Sequence, residues 1–150
     1  MKLWLNIRLP DGQKKEYMKK VKISTLKLQR YMSNLIPVVD TEWEIGYINA
    51  EGAPVTSDAH LRMKNFVAIR PGTRYIGYEL IQCQVAIRLY DVNQVVIPGN
   101  FGRSSPADLT PIDFTAPSNA RFMKLYVSKP GVTHLTPKSI YDFGISLTIG

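Results

Sequence analysis

The segment VAIRLY at 85–90, DVNQ at 91–94 and VVI at 95–97 contains the unit from which most of this chain is built. Two short apolar, β-branched runs flank a turn rich in Asp and Asn, a pattern typical of two β-strands joined by a turn. Similar short runs follow one another from Trp43 onward, separated by Gly, Pro, Asn and Asp at intervals of roughly ten residues. Because no stretch between them is long enough for a substantial helix, an α/β fold is excluded. The pattern predicts an all-β antiparallel sandwich.

Working outward from that segment, we predict strands on both sides of it. They cover residues 43–49, 61–64, 66–69, 75–80, 85–90, 95–97, 112–115, 121–128 and 140–149. The last of these is interpreted as one alternating strand with Phe143, Ile145, Leu147 and Ile149 on the same side. A long loop rich in Gly, Ser and Pro spans residues 98–111.

The first 36 residues are predicted to form a separate N-terminal part. Leu3, Leu5, Ile7 and Leu9 alternate with polar residues, and the Pro10-Asp11-Gly12 turn follows them, so residues 1–24 indicate a β-hairpin. Residues 25–36 form a linker or a short helix that ends before Pro37. The predicted domains are therefore a basic hairpin and linker at 1–36 and the sandwich at 37–150.

The formal net charge of +7 lies entirely in the first 30 residues, which hold nine Lys or Arg and two acidic residues. Such a block favours an acidic partner, and we predict that it docks the chain to one. The alternative is a solvated hairpin whose edge lysines discourage unwanted strand pairing. A nucleic-acid partner ranks lower, because no aromatic residues alternate with the lysines. The predicted docking residues are Lys14, Lys15, Lys19, Lys20 and Lys22.

The sequence gives no support to an enzyme, a metal site or a cofactor. With one cysteine, Cys83, a thiolate zinc site is excluded, and that residue is interpreted as a buried apolar side chain. Ser57, Asp58 and His60 form a triad only on paper, since neighbouring strand residues point to opposite faces. No apolar run is long enough to span a membrane, and the N-terminus lacks the features of a signal peptide.

Aromatic and arginine side chains are the remaining candidates for binding. Aromatic rings offer flat apolar faces and Arg offers a rigid set of hydrogen-bond donors, although many such rings simply pack in sandwich cores. Phe101 and Arg103 stand out because they lie in the 98–111 loop, and long loops in compact domains are often functional. The predicted ligand-binding residues are Trp43, Arg62, Phe101 and Arg103.

Residues 41–128 also resemble a known type of module. The resemblance rests on WEIGYIN at 43–49, HLRMK at 60–64, FVAIRPGTRY at 66–75, LYDVNQ at 89–94 and FTAPSNARFMKL at 114–125. Their order is similar to that in the jelly-roll, carbohydrate-binding-type modules of bacteriophage tail fibre, baseplate and minor structural proteins. The resemblance implies a β-sandwich carried on a virion, where it binds or decorates a cell surface.

The leading hypothesis is therefore a phage virion structural protein, made in the host cytoplasm. Its basic N-terminal region would attach it to other virion proteins, and its sandwich would bind host cell-wall polysaccharide. The alternative is a purely structural decoration or assembly protein that binds no glycan and forms a homo-oligomer through the 3–9 strand.

Overall fold

Two antiparallel β-sheets pack face to face and a two-stranded hairpin lies beside them in the computed structural model, which describes residues 34–79, 81–102 and 111–150. The predicted hairpin at 1–24, its five docking lysines and Arg103 lie outside the described residues. The strands are β1 (Trp43–Ile45), β2 (Tyr47–Ile48), β3 (Pro54–Val55), β4 (Leu61–Met63), β5 (Val67–Ala68), β6 (Arg74–Tyr78), β7 (Gln84–Tyr90), β8 (Val96–Ile97), β9 (Ile112–Thr115), β10 (Phe122–Ser128) and β11 (Ser146–Ile149).

The larger sheet has the strand order β1-β4-β10-β7-β8, and β5 also pairs with β10. Its spine is the antiparallel pairing of β10 with β7, seven residues long, which runs from Phe122 opposite Tyr90 to Ser128 opposite Gln84. The smaller sheet has the order β11-β6-β9, and β2 pairs with β3 as a separate hairpin. These connections confirm the predicted all-β antiparallel sandwich.

The core lies between the inner faces of the two sheets. Successive strand residues point to opposite faces, so the odd-numbered residues of β10 all face inward. Met123, Leu125 and Val127 are at most 1% exposed, and Tyr75 and Leu147 of the smaller sheet are buried in the same cluster. Cys83 belongs to this cluster too, and burial raises its thiol pKa to about 11, which confirms its interpretation as a buried apolar side chain.

The predicted strand at 43–49 is divided at Gly46. This glycine has a φ of 135°, a conformation that L side chains rarely adopt. The chain turns there, so β1 stays in the larger sheet while β2 leaves to pair with β3. The consequence is a hairpin that can lie against a face of the sheet rather than at its edge.

The predicted single strand at 140–149 is wrong in its first half. Residues Ile140–Phe143 form α1, a single helical turn preceded by a 3-10 turn at Pro137–Ser139. Thr136 and Ser139 form a capping box at its start, and Gly144 ends α1 with a left-handed φ of 58°. The capping box and Gly144 favour a helical turn more strongly than the alternating pattern favours a strand. Within 140–149, the extended part is therefore β11.

Residues 34–36 pack on the sandwich although the predicted boundary places them in the linker. Asn34 Oδ1 accepts hydrogen bonds from the Ile36 and Leu147 backbone N–H groups at 3.0 and 2.9 Å. Its Nδ2 donates to the Ile145 carbonyl at 3.0 Å, and Ile36 is buried. Residues 34–150 form one compact unit, while the boundary after residue 36 stays a prediction.

Candidate ligand-binding face

The β2–β3 hairpin, residues 47–55, lies on the outer face of the larger sheet. Ile48 is buried there in a small cluster with Ala86 and Tyr126, separate from the main core. The carbonyl oxygen of Gly52, at the hairpin turn, lies 3.5 Å from the hydroxyl of Tyr90. We call residues 47–55 the covering hairpin, because they extend across this face from β4 toward β8.

Arg62 ties the covering hairpin to the sheet. Its Nε donates to Glu44 at 2.8 Å, while Nη1 donates to the carbonyls of Val55 at 2.8 Å and Tyr47 at 3.3 Å. The side chain is only 13% exposed. Three acceptors belonging to the protein therefore engage Nε and Nη1 of the guanidinium, so Arg62 holds the covering hairpin on the sheet, and its role in ligand binding stays a prediction.

An aromatic group that contains His60 lies where the covering hairpin meets the sheet. The His60 ring is 5.2 Å from that of Tyr47 and 5.8 Å from that of Tyr126. Its Nδ1 lies 2.8 Å from Ser57 Oγ, and burial lowers the pKa of the imidazole. Asp58 instead lies 3.7 Å from His134. Ser57, Asp58 and His60 therefore do not form a triad, because the Asp58 carboxylate lies beside His134 and not beside His60.

A second group of side chains lies on the same outer face and combines rings with cations. Phe66, between β4 and β5, has ring contacts with Tyr90 at 4.8 Å and Phe122 at 5.8 Å. The Nζ of Lys124 lies 4.6 Å from the centre of the Phe66 ring. Arg88 stands directly opposite Lys124 in the β7–β10 pairing. We call these five residues the aromatic–cationic cluster.

The two cations of this cluster lack acidic partners. In the described part of the chain, no carboxylate lies within ion-pair distance of Lys124 or Arg88. Partial burial lowers the pKa of Lys124, the charge of Arg62 lowers it further, and Glu44 acts in the opposite direction. Arg88 Nη1 donates to the Gly99 carbonyl at 2.8 Å, while its buried Nε has no acceptor among the described residues. The cluster thus presents positive charge without a direct ion-pair partner beside apolar rings.

The structure does not bring the predicted ligand-binding residues together. Trp43 is fully buried and its indole Nε1 donates to the Pro37 carbonyl at 2.8 Å, so it belongs to the core, and its contact with a ligand stays a prediction. Phe101 packs against the core and contacts the Phe114 ring at 5.7 Å, on the opposite side of the sheet from Arg62. Arg103 lies outside the described residues.

The sequence signal that could have found the cluster is the alternation within the 121–128 strand. Met123, Leu125 and Val127 are apolar, so the residues that alternate with them, Phe122, Lys124 and Tyr126, must face away from the core. This placement follows from periodicity alone. What the sequence does not show is the pairing of β10 with β7, which sets Lys124 beside Arg88.

Comparisons with known protein families, with curated proteins and with solved structures found no match. In the described part of the chain, no group of three or more His, Cys, Asp and Glu side chains could hold a metal ion. Within the same residues, no helix is long and apolar enough to cross a membrane.

Proposed function

We propose that this chain is a phage virion structural protein whose β-sandwich binds a glycan on the outer face of the larger sheet. The observation that carries the glycan part is the aromatic–cationic cluster. Phe66 and Phe122 are partly exposed, contact each other and lie beside charged groups. A sugar ring needs a flat apolar surface together with a few polar groups that fix its orientation, and this face offers both.

The virion part of the proposal is supported by the sequence. Residues 41–128 resemble modules of phage tail and baseplate proteins, and the whole net charge of +7 lies in the first 30 residues. An acidic particle surface would attract such a block. In this proposal the N-terminal region attaches the protein to the particle and the sandwich contacts the host cell wall.

Affinity measurements on Phe66→Ala test the glycan part. Loss of one stacking ring should weaken binding of a host cell-wall polysaccharide about tenfold, measured by isothermal titration calorimetry. Tyr141→Ala is the matched control, because Tyr141 is an exposed ring on α1, away from this face. Equal affinities for the two variants, or no binding by the unaltered chain at millimolar glycan, would contradict the proposal.

Charge removal in the intact chain tests the attachment. A variant in which Lys14, Lys15, Lys19, Lys20 and Lys22 are all changed to Gln should lose co-sedimentation with virions. The control changes Lys64, Lys129 and Lys138 to Gln, three exposed lysines of the sandwich. Normal attachment of the five-lysine variant would show that the N-terminal charge does not dock the chain.

A second candidate function, a structural protein that forms a homo-oligomer, is favoured by one surface feature. Val92 and Val95 are 69% and 59% exposed on the turn between β7 and β8, and they are close in sequence. Apolar side chains grouped in this way suit a contact with a second copy. Light scattering separates the two functions, because a closed oligomer that ignores glycan supports this one, and Val92→Ser with Val95→Ser should then dissociate it.

A further inference from the structure

The charge on the outer face of the larger sheet is unbalanced. The strands of this face contribute three cations, Arg62, Arg88 and Lys124, and one carboxylate, Glu44. Glu44 is already engaged by Arg62 Nε at 2.8 Å. The other two cations stand directly opposite each other across β7 and β10, an arrangement that is unfavourable for like charges. An anion placed between them would remove that repulsion.

The rings lie within reach of the same point. Lys124 Nζ is 4.6 Å from the Phe66 ring centre, and Phe66 contacts both Phe122 and Tyr90. Tyr90 is buried, so a molecule that covers the exposed parts of Phe66 and Phe122 would also lie beside the Lys124 ammonium. In such a ligand, the charged group therefore needs to lie close to the apolar surface that contacts the rings.

The guanidinium of Arg88 has one nitrogen that donates to the protein and another that has no acceptor in the described part of the chain. The Gly99 carbonyl holds Nη1 at 2.8 Å and so fixes the guanidinium plane, while Nε has no acceptor in the described part of the chain. Arginine presents several donors in a fixed geometry that matches carboxylate and phosphate oxygens. Nε itself is buried, but Nη2 is accessible and has no acceptor among the described residues, so an oxyanion that approaches from the outer face would find its donor there.

We infer that the ligand of this face is an acidic saccharide, one that carries a carboxylate or a phosphate group. The sugar ring lies on Phe66 and Phe122, and the negative group lies between Lys124 and Arg88. The inference rests on the proposed function, because it specifies which class of glycan that face binds. It also distinguishes Arg62, which the protein itself neutralises, from the two cations that it leaves available.

Calorimetric titration of the full chain with three oligosaccharides tests the inference. They are an oligogalacturonate, its fully methyl-esterified neutral counterpart and an oligosaccharide of hexose units joined by phosphodiester links. Charge-assisted hydrogen bonds should make at least one acidic ligand bind about tenfold more tightly than the neutral one, with an advantage that falls as salt is added. The two acidic ligands distinguish a carboxylate from a phosphate source.

The Lys124→Gln variant tests whether the preference for acidic ligands arises on this face. Its control is Lys129→Gln, because Lys129 is an exposed lysine on a turn. Lys124→Gln should abolish most of the acidic advantage and leave the unfolding temperature close to its original value, whereas Lys129→Gln should leave both unchanged. An acidic advantage that survives Lys124→Gln, or that Lys129→Gln reduces equally, overturns the inference. Equal binding of neutral and acidic ligands overturns it too but leaves the proposed function standing, whereas absence of all binding overturns both.

Discussion

The outer faces of the two sheets treat their charged residues in opposite ways. On the smaller sheet, Arg74 Nε and Nη2 donate to the two carboxylate oxygens of Asp113 at 2.9 and 2.6 Å. Hydrogen bonding to Arg74 lowers the pKa of Asp113, and the same contact raises that of Arg74. On the larger sheet, burial lowers the pKa of Lys124 although Glu44 acts in the opposite direction, and no carboxylate forms an ion pair with Lys124 in the part that the structure describes. One face neutralises itself in solvent, while the other keeps positive charge beside apolar rings.

The presence of charged side chains on a surface is therefore not enough to identify a binding face. An exposed and paired arginine is ordinary surface chemistry and contributes little to stability. Partly buried cations without partners are costly, so their presence calls for an acceptor that the described part of the chain does not supply. Variants on the two faces should therefore differ in stability, and the sizes of the differences are expected as follows.

Gly46→Ala should have the largest effect, because it displaces the covering hairpin. A Cβ at this position would meet Arg62 Nη1 and the Val55 carbonyl, in addition to the strain of a φ of 135°. We expect the free energy of unfolding to fall by about 3 kcal/mol, measured by chemical denaturation. The control is Gly72→Ala before β6, where φ is 69° but no atom lies within 4 Å, and where about 1 kcal/mol is expected. Similar losses in both variants would show that the contact with Arg62 is unimportant.

Arg62→Met and Arg74→Met compare the two faces with the same substitution. Loss of Arg62 leaves Glu44 and the carbonyls of Tyr47 and Val55 without their donor in a half-buried place, at an expected cost of about 2 kcal/mol. Loss of Arg74 leaves a carboxylate that water can solvate, so the stability should change little. Thermal unfolding of the two variants at one pH is sufficient, and equal losses would contradict the distinction between the faces.

His60 should make the stability of the protein depend on pH, and this is the smallest of the three expected effects. Its folded-state pKa lies below the ordinary 6.5, because burial disfavours the charged imidazole. The unfolded state therefore binds the proton first, and stability decreases as the pH falls below 6.5. His60→Gln should remove this component from denaturation curves at pH 7 and pH 5, whereas His134→Gln, at an exposed histidine, should keep it. An unchanged pH dependence in His60→Gln would contradict the packing described for this ring.

Much of the fold could be predicted from strand alternation, and the errors lie where local signals compete with it. The 85–90 and 121–128 strands are found within a residue of their predicted positions, since their odd-numbered residues fill the core. The 140–149 segment alternates equally well, but Pro137 and Gly144 favour a helical turn between them. The periodicity of a short segment does not reveal which of the two signals prevails.

The candidate site could be predicted only in part, for a reason of geometry. The residue type makes Trp43 a candidate because aromatic rings suit ligands, yet its indole fills the core and has a backbone acceptor. Phe66 and Lys124 gain their significance from neighbours in other strands, and the pairing of those strands is not encoded in any one segment. The composition of the site is thus visible in the sequence, but its assembly is a property of the sheet.

The most direct test of the central claim is an NMR titration of the full chain with host cell-wall glycan. We expect the amide signals of Phe66, Phe122 and Lys124 to shift with a common dissociation constant. Those of Arg74, Ile76 and Asp113 on the smaller sheet should not shift. Shifts confined to the smaller sheet, or no shift on the larger sheet at millimolar glycan, would contradict the assignment of the larger sheet's outer face as the binding face.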